Sequence, residues 1–128
     1  MIQKVEISSD SKIEIIDQKA FTSSSIESIF IPKHVKIIGK CAFKSCENLI
    51  KAEFADDSEL LRIEYYSFYG TSIQTISIPS QVVSIGKFAF RNCKQLTNVQ
   101  IFEDSKLQII DEDAVSNTSI EKFLFLHS

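Results

Sequence analysis

Five copies of one dipeptide punctuate the chain and constrain its fold more than any other feature. The second residues of Ala20-Phe21, Ala42-Phe43, Ser67-Phe68, Ala89-Phe90 and Ala114-Val115 are separated by 22, 25, 22 and 25 positions, so alternate units are displaced by 47 residues. At that offset Val5–Ser25, Ala52–Ser72 and Val99–Ser119 align without a gap, as do Ile26–Asn48 and Ile73–Gln95. A fixed period of this length belongs to a solenoid, in which each unit buries its apolar face only against its neighbours.

Each unit opens on an apolar-x-x-apolar-x-apolar run: Ile2/Val5/Ile7, Ile26/Ile29/Ile31, Leu49/Ala52/Phe54, Ile73/Ile76/Ile78, Leu96/Val99/Ile101 and Ile120/Phe123/Phe125. Alternation in the second half of each run is the signature of a half-buried strand. Stacked in order, the runs predict a six-stranded parallel sheet, with the rest of each repeat as the long connection that parallel strands need. That connection has two forms. The short one, Pro-x-x-Val-x-x-Ile-Gly-x-x-Ala-Phe-x-x-Cys, covers Pro32–Cys46 and Pro79–Cys93. Its proline suits the end of a strand, having no amide to donate. The long one carries Asp-Ser-x-Ile/Leu-x-x-Ile at Asp10–Ile16, Asp57–Ile63 and Asp104–Ile110. Where short units have Gly39 or Gly86, long units have Asp17, Glu64 or Asp111, read as acidic caps opening a brief helical turn.

The pattern closely resembles the BspA-like leucine-rich repeat family, whose unit Ile-x-Ile-Pro-x-x-Val-x-x-Ile-Gly-x-x-Ala-Phe-x-x-Cys-x-x-Leu is matched by Ile73–Leu96 at nearly every defined place. Val115 in place of the aromatic and Ser67 in place of alanine are departures. The resemblance spans the chain and implies one domain over residues 1–128, with repeats starting near 2, 26, 49, 73, 96 and 120. It implies an α/β-class, right-handed solenoid with the six-stranded sheet on its concave face and short helical turns or loops on the convex side. It further implies a non-catalytic adhesion module of bacterial or protist cell surfaces, binding an extracellular-matrix or host-surface protein.

Composition narrows the function classes. A net charge of −3 gives no electrostatic footprint for nucleic acid, and the longest apolar run, Phe123–Leu126, is far too short to span a membrane. Polar and apolar residues alternate from Met1 onward, so no signal peptide is expected in this chain, which leaves a cytosolic protein or a mature or excised portion of a longer one. Cys46 and Cys93 lie two turns apart, roughly 9–10 Å at strand spacing, beyond the reach of a disulfide. They and Cys41 read as buried structural thiols. Asp10-Ser11, Asp57-Ser58 and Asp104-Ser105 invite a catalytic or metal reading, but equivalent residues on separate turns cannot converge on one ion. They read as turn residues instead. His34 and His127 are isolated in sequence, and no nucleophile–base set, phosphate loop or cofactor site emerges. The sequon Asn117-Thr118-Ser119 matters only in an exported chain.

Outward strand positions are the expected partner surface: Lys4, Glu6, Phe30, Lys51, Glu53, Ser77, Asn98, Gln100 and Phe102. Phe30 stands between Glu6 and Glu53 as an outward aromatic of the kind that anchors interfaces. Tyr65-Tyr66 replaces polar residues of sister units, either as a packed convex pair or as a contact site. The alternative to partner binding is a structural module that associates head to tail through Ile2, Phe123 and Phe125, since unpaired strand edges recruit other chains.

Overall fold

The computed structural model describes residues 4–5 and 7–126, with backbone only at Lys4, Val5, Lys122, Phe125 and Leu126. Among the described residues five turns of the coil contribute one long-side and one short-side strand each, and the sixth contributes a long-side strand. The long strands are β1 (Lys4–Val5), β3 (Ser28–Ile31), β5 (Lys51–Phe54), β7 (Thr75–Ile78), β9 (Asn98–Phe102) and β11 (Lys122–Leu126). The two-residue strands are β2 (Ile15–Ile16), β4 (Ile37–Ile38), β6 (Arg62–Ile63), β8 (Ser84–Ile85) and β10 (Ile109–Ile110). All pairings are parallel, and they follow the aligned repeats, with Ile29 opposite Ala52 and Ile76 opposite Val99.

Two expectations are corrected. The long strands do not make one six-stranded sheet but two of three, β1-β3-β5 and β7-β9-β11. The continuous sheet is the other one, β2-β4-β6-β8-β10, whose strands end just before the acidic residues expected to open helical turns. The described residues contain no helix, so the fold is a β-solenoid and not an α/β coil. The reason lies in where the amides point. Ala42, Lys44 and Cys46 donate three residues back, at 3.1, 3.2 and 3.1 Å, as in a chain of turns. Between them Cys41, Phe43 and Ser45 donate to Tyr65, Ser67 and Tyr69 of the next turn, at 3.1, 2.7 and 2.7 Å. A helix needs every amide for its own i→i−4 ladder, and here alternate amides leave it.

This arrangement forces every fourth residue into the left-handed region: Lys19 and Ser23, Cys41 and Ser45, Tyr66 and Gly70, Phe88 and Asn92, Asp113 and Asn117, all with φ between 55° and 71°. A side chain there costs about 1–2 kcal/mol, which the inter-turn bonds offset. Glycine is needed elsewhere, where turns touch. A Cβ on Gly39 would stand 2.7 Å from the Ile16 carbonyl, and one on Gly86 would stand 2.8 Å from the Tyr65 amide. The Asp-Ser doublets act as turn residues. Ser11, Ser58 and Ser105 each accept the amide two residues on, from Ile13, Leu60 and Leu107, at 3.2, 3.1 and 3.1 Å. Pro32 and Pro79 follow the last residues of β3 and β7 as expected, and both are buried.

The repeated dipeptide builds the core. Phe21, Phe43, Phe68 and Phe90 stack in a column with centroids 5.2, 5.1 and 5.3 Å apart and ring planes within 9°. Under the column the Cys46 thiol donates to the Phe21 carbonyl at 2.9 Å, and the Cys93 thiol to that of Phe68 at 3.0 Å. All three cysteines are free and buried. Burial pushes the Cys46 and Cys93 thiols above their ordinary pKa, with hydrogen bonds from neighbouring backbone and Thr71 opposing the shift only partly.

Candidate functional site

The break between β5 and β7 is the most distinctive place on the long-strand face. Ser72 N–H donates to the Leu49 carbonyl at 2.9 Å at one end of the break, and Val83 N–H to that of Leu61 at 2.7 Å at the other. Among the described residues no backbone hydrogen bond joins these turns in between. Sequence accounts for the gap. β5 carries Ala52 where β3, β7 and β9 carry Ile29, Ile76 and Val99, and Phe54 where those three strands carry Ile31, Ile78 and Ile101. The small residue underfills its layer and the large one overfills the next, so Phe54 is only half-buried while Ile31 and Ile78 are fully enclosed.

Over this seam lies a groove of about 680 Å³. Its apolar surface comes from Ile50, Ala52, Phe54, Ala55, Pro79 and Phe102. Ile50 is 47% exposed at a position occupied by Glu27, Gln74, Thr97 and Glu121 in the other units. Polar groups of the groove include Gln74, Thr75 and Ser77, and its charged ones are Lys51, Glu53, Asp56 and Asp104. Lys51 is engaged by its own neighbour, Nζ to Glu53 Oε1 at 3.4 Å, which leaves Asp56 and Asp104 to set a negative local charge.

Of the outward residues expected to meet a partner, Lys51, Glu53, Ser77 and Phe102 line this groove. Phe30 lies opposite Glu53 in register, 37% exposed on β3 and outside the groove. Asn98 and Gln100 are half-buried on β9, where Gln100 accepts a hydrogen bond from the Ser77 hydroxyl. Lys4 pairs in register with Ser28, whereas Glu6 and Ile2 lie outside the described residues, as does His127. Phe123 is 41% exposed on β11, and Phe125 aligns with Ile101. Sequence reasoning passed over Ile50, Ala52, Phe54 and Asp56. The signal was present in the alignment of units, as an apolar residue at a polar position beside two volume mismatches.

Ionisable groups elsewhere hold turns together. Lys36 Nζ reaches Glu14 at 3.2 Å on the preceding turn and Glu59 at 3.5 Å on the following one, and His34 Nδ1 lies 3.4 Å from Glu59. Hydrogen bonding from His34, with Lys36 nearby, lowers the Glu59 pKa, and the hydrogen bond to Glu14 raises that of Lys36. Asn117 is exposed, and its Nδ2 donates to Asn92 Oδ1 at 2.7 Å. Among the described residues no three His, Cys, Asp or Glu side chains are placed to hold a metal ion. No helix there is long and apolar enough to cross a membrane.

The model of the BspA type leucine rich repeat region matches residues 14–128 in six copies. The chain belongs to the BspA-type leucine-rich repeat family. Comparison with curated proteins gives no match. Among solved structures the chain is similar to the leucine-rich repeat protein TpLRR of T. pallidum, with a TM-score of 0.85 at 22% identity over 95% of this chain and 58% of that one. It is similar too to the pneumococcal vaccine antigen PcpA, with a TM-score of 0.79 at 23% identity over 96% of this chain and 37% of that one. A leucine-rich repeat protein from Bacteroides capillosus gives a TM-score of 0.55 at 17% identity, over 97% and 77% of the two chains. These likenesses establish the fold, and the chain spans little more than half of the first of these proteins and about a third of the second.

Proposed function

We propose that the chain is a non-enzymatic protein-interaction module of a cell-surface protein, and that it meets its partner on the long-strand face with the seam groove as anchor. The observation that carries this reading is Ile50. A large apolar side chain stands half-exposed beside Phe54 and Phe102 where every sister unit has a polar residue. Apolar anchors seated in a pocket contribute most of the energy of protein interfaces, with a polar rim around them. Asp56 and Asp104 favour a partner segment with Lys or Arg beside its apolar anchor. Family membership and the likeness to a vaccine antigen support a surface setting and an adhesive role, with an extracellular-matrix or host-surface protein as partner.

Purified extracellular-matrix proteins tested against immobilised wild type and Ile50→Glu give the decisive comparison. The reading predicts at least one binder whose affinity falls tenfold or more, about 1.4 kcal/mol, in the variant. Binding that ignores Ile50→Glu, or no binder at all, contradicts it. The second reading, end-to-end association through the last strand, rests on the exposure of Phe123. It predicts light scattering that rises with concentration and falls back in Phe123→Lys.

A further inference from the structure

The three tyrosines of the chain all sit outside the groove, in the turn that holds left-handed Tyr66 and Gly70, and none is used by the proposed partner face. Tyr66 is the hub. Its ring centroid lies 5.2 Å from Tyr65, 5.2 Å from Tyr69 and 5.0 Å from Phe88. Cations cover these rings from both flanking turns. Lys40 lies 5.4 Å from the Tyr65 centroid, and Lys44 lies 4.9 Å from Tyr66 and 5.7 Å from Tyr69. On the far side Lys87 and Arg91 are each 5.1 Å from Phe88.

The repeat explains the symmetry. Lys87 and Arg91 occupy the positions of Lys40 and Lys44 one 47-residue superperiod later, and the tyrosine turn lies between the two pairs. Among the described residues none of these four cations has a carboxylate within ion-pair distance, although Lys33, Lys36, Lys51 and Arg62 all do. The Nε of Arg91 is buried with no hydrogen-bond partner. The scaffold accepts acids at this site, because the next turn has Glu112 and Asp113 where this one has Lys87 and Phe88. A protein of net charge −3 thus gathers four unneutralised cations on one patch and fixes them in place over aromatic faces.

We propose that this patch is a second binding site, for an acidic segment of polypeptide. Rings already faced by cations and by one another offer little to a nucleobase or a sugar, so charge is what a partner meets. The cation pairs stand two turns apart, roughly 9–10 Å along the solenoid. An extended polyproline-II segment repeats one side every three residues, at about 9 Å, so Asp or Glu three apart would meet both pairs. Carboxylates on Lys and Arg form charge-assisted hydrogen bonds, which are among the stronger ones available at a surface.

With no tryptophan in the chain and all three tyrosines in the patch, intrinsic tyrosine fluorescence reads this site directly. The probe is a Glu-rich dodecapeptide lacking aromatic residues, titrated at low and at physiological salt. The expected result is a saturable fluorescence change, at least tenfold weaker affinity in Lys44→Glu/Arg91→Glu, and affinity within twofold of wild type in Lys33→Glu/Lys36→Glu. The two double variants carry the same net charge, which separates a site from general attraction. Lys40→Gln/Lys87→Gln, altering two exposed side chains, gives an intermediate loss and covers any misfolding of the first variant. Absence of a saturable change, equal losses in both charge-reversed proteins, or tighter binding of a sulfated polysaccharide or oligothymidylate would overturn the proposal.

Discussion

The third and fourth turns of the coil bring two pairs of strands side by side, with opposite results. On the short-strand side β6 and β8 pair directly, Arg62 opposite Ser84 and Ile63 opposite Ile85, inside a sheet that runs unbroken from β2 to β10. On the long-strand side β5 and β7 do not pair at all. Both contacts belong to the same two units, so curvature, unit length and turn chemistry cannot separate them. What differs is volume. The short strands put isoleucine at the same place in every unit, Ile16, Ile38, Ile63, Ile85 and Ile110, the first four of them buried, whereas β5 departs from β3, β7 and β9 twice within three residues. A repeat protein is approximately a sum of units and nearest-neighbour interfaces, so one mismatched strand opens one interface and leaves the next intact.

The strongest way to break the comparison is to empty the continuous side. Phe68 is wholly buried between the rings of Phe43 and Phe90. Phe68→Ala is expected to cost about 3–5 kcal/mol in urea melts, against less than about 1 kcal/mol for Phe30→Ala on the open face. A smaller gain should come next door. The Ser67 hydroxyl is fully buried with no hydrogen-bond partner among the described residues, at a place where sister units have alanine. Ser67→Ala should stabilise by about 1–2 kcal/mol in the same melts.

Repairing the seam sharpens the comparison directly. Ala52→Val/Phe54→Ile gives β5 the residues of β9 and is expected to raise stability by about 1 kcal/mol as strand hydrogen bonds form. The same change should shrink the groove and weaken any partner that uses it. Loss of stability in this double variant would mean that volume mismatch does not cause the break. The smallest effect is one of pH. The buried Cys46 and Cys93 thiols hold their protons above the ordinary value of about 8.5, while the unfolded chain releases them there. Below that pH the thiols contribute no pH dependence. Above it stability falls as pH rises, with a shallower fall in Cys93→Ala, as thermal melts across the alkaline range would record.

Much of this was legible in the sequence because repetition reports stacking. The Phe column, the parallel register and the strand-ending prolines follow from the aligned units. The Ala-Phe turns were misread as helical because the residue pattern does not reveal where each amide points. Cys41 and Ser45 carry no mark that sends them into the left-handed region, and only the neighbouring turn's carbonyls decide it. The seam was hidden for another reason. Leu49, Ala52 and Phe54 satisfy the apolar pattern that identifies a strand, and pattern ignores size. The outward residues Lys51, Glu53, Ser77 and Phe102 line the groove, together with Ile50, Ala52 and Phe54, whose sizes the pattern does not register.

The most direct test of the account is amide hydrogen exchange along β5, β7 and β9, residue by residue. Consecutive amides of a parallel strand point to opposite neighbours. In β9, flanked by β7 and β11, all of them are bonded within the sheet. The account predicts uniformly slow exchange in β9. In β5 and β7 it predicts alternation, with amides turned toward β3 or β9 slow and those turned toward the seam faster by orders of magnitude. Uniform protection along all three strands would contradict it, for the long-strand face would then be one continuous sheet with no groove at its centre.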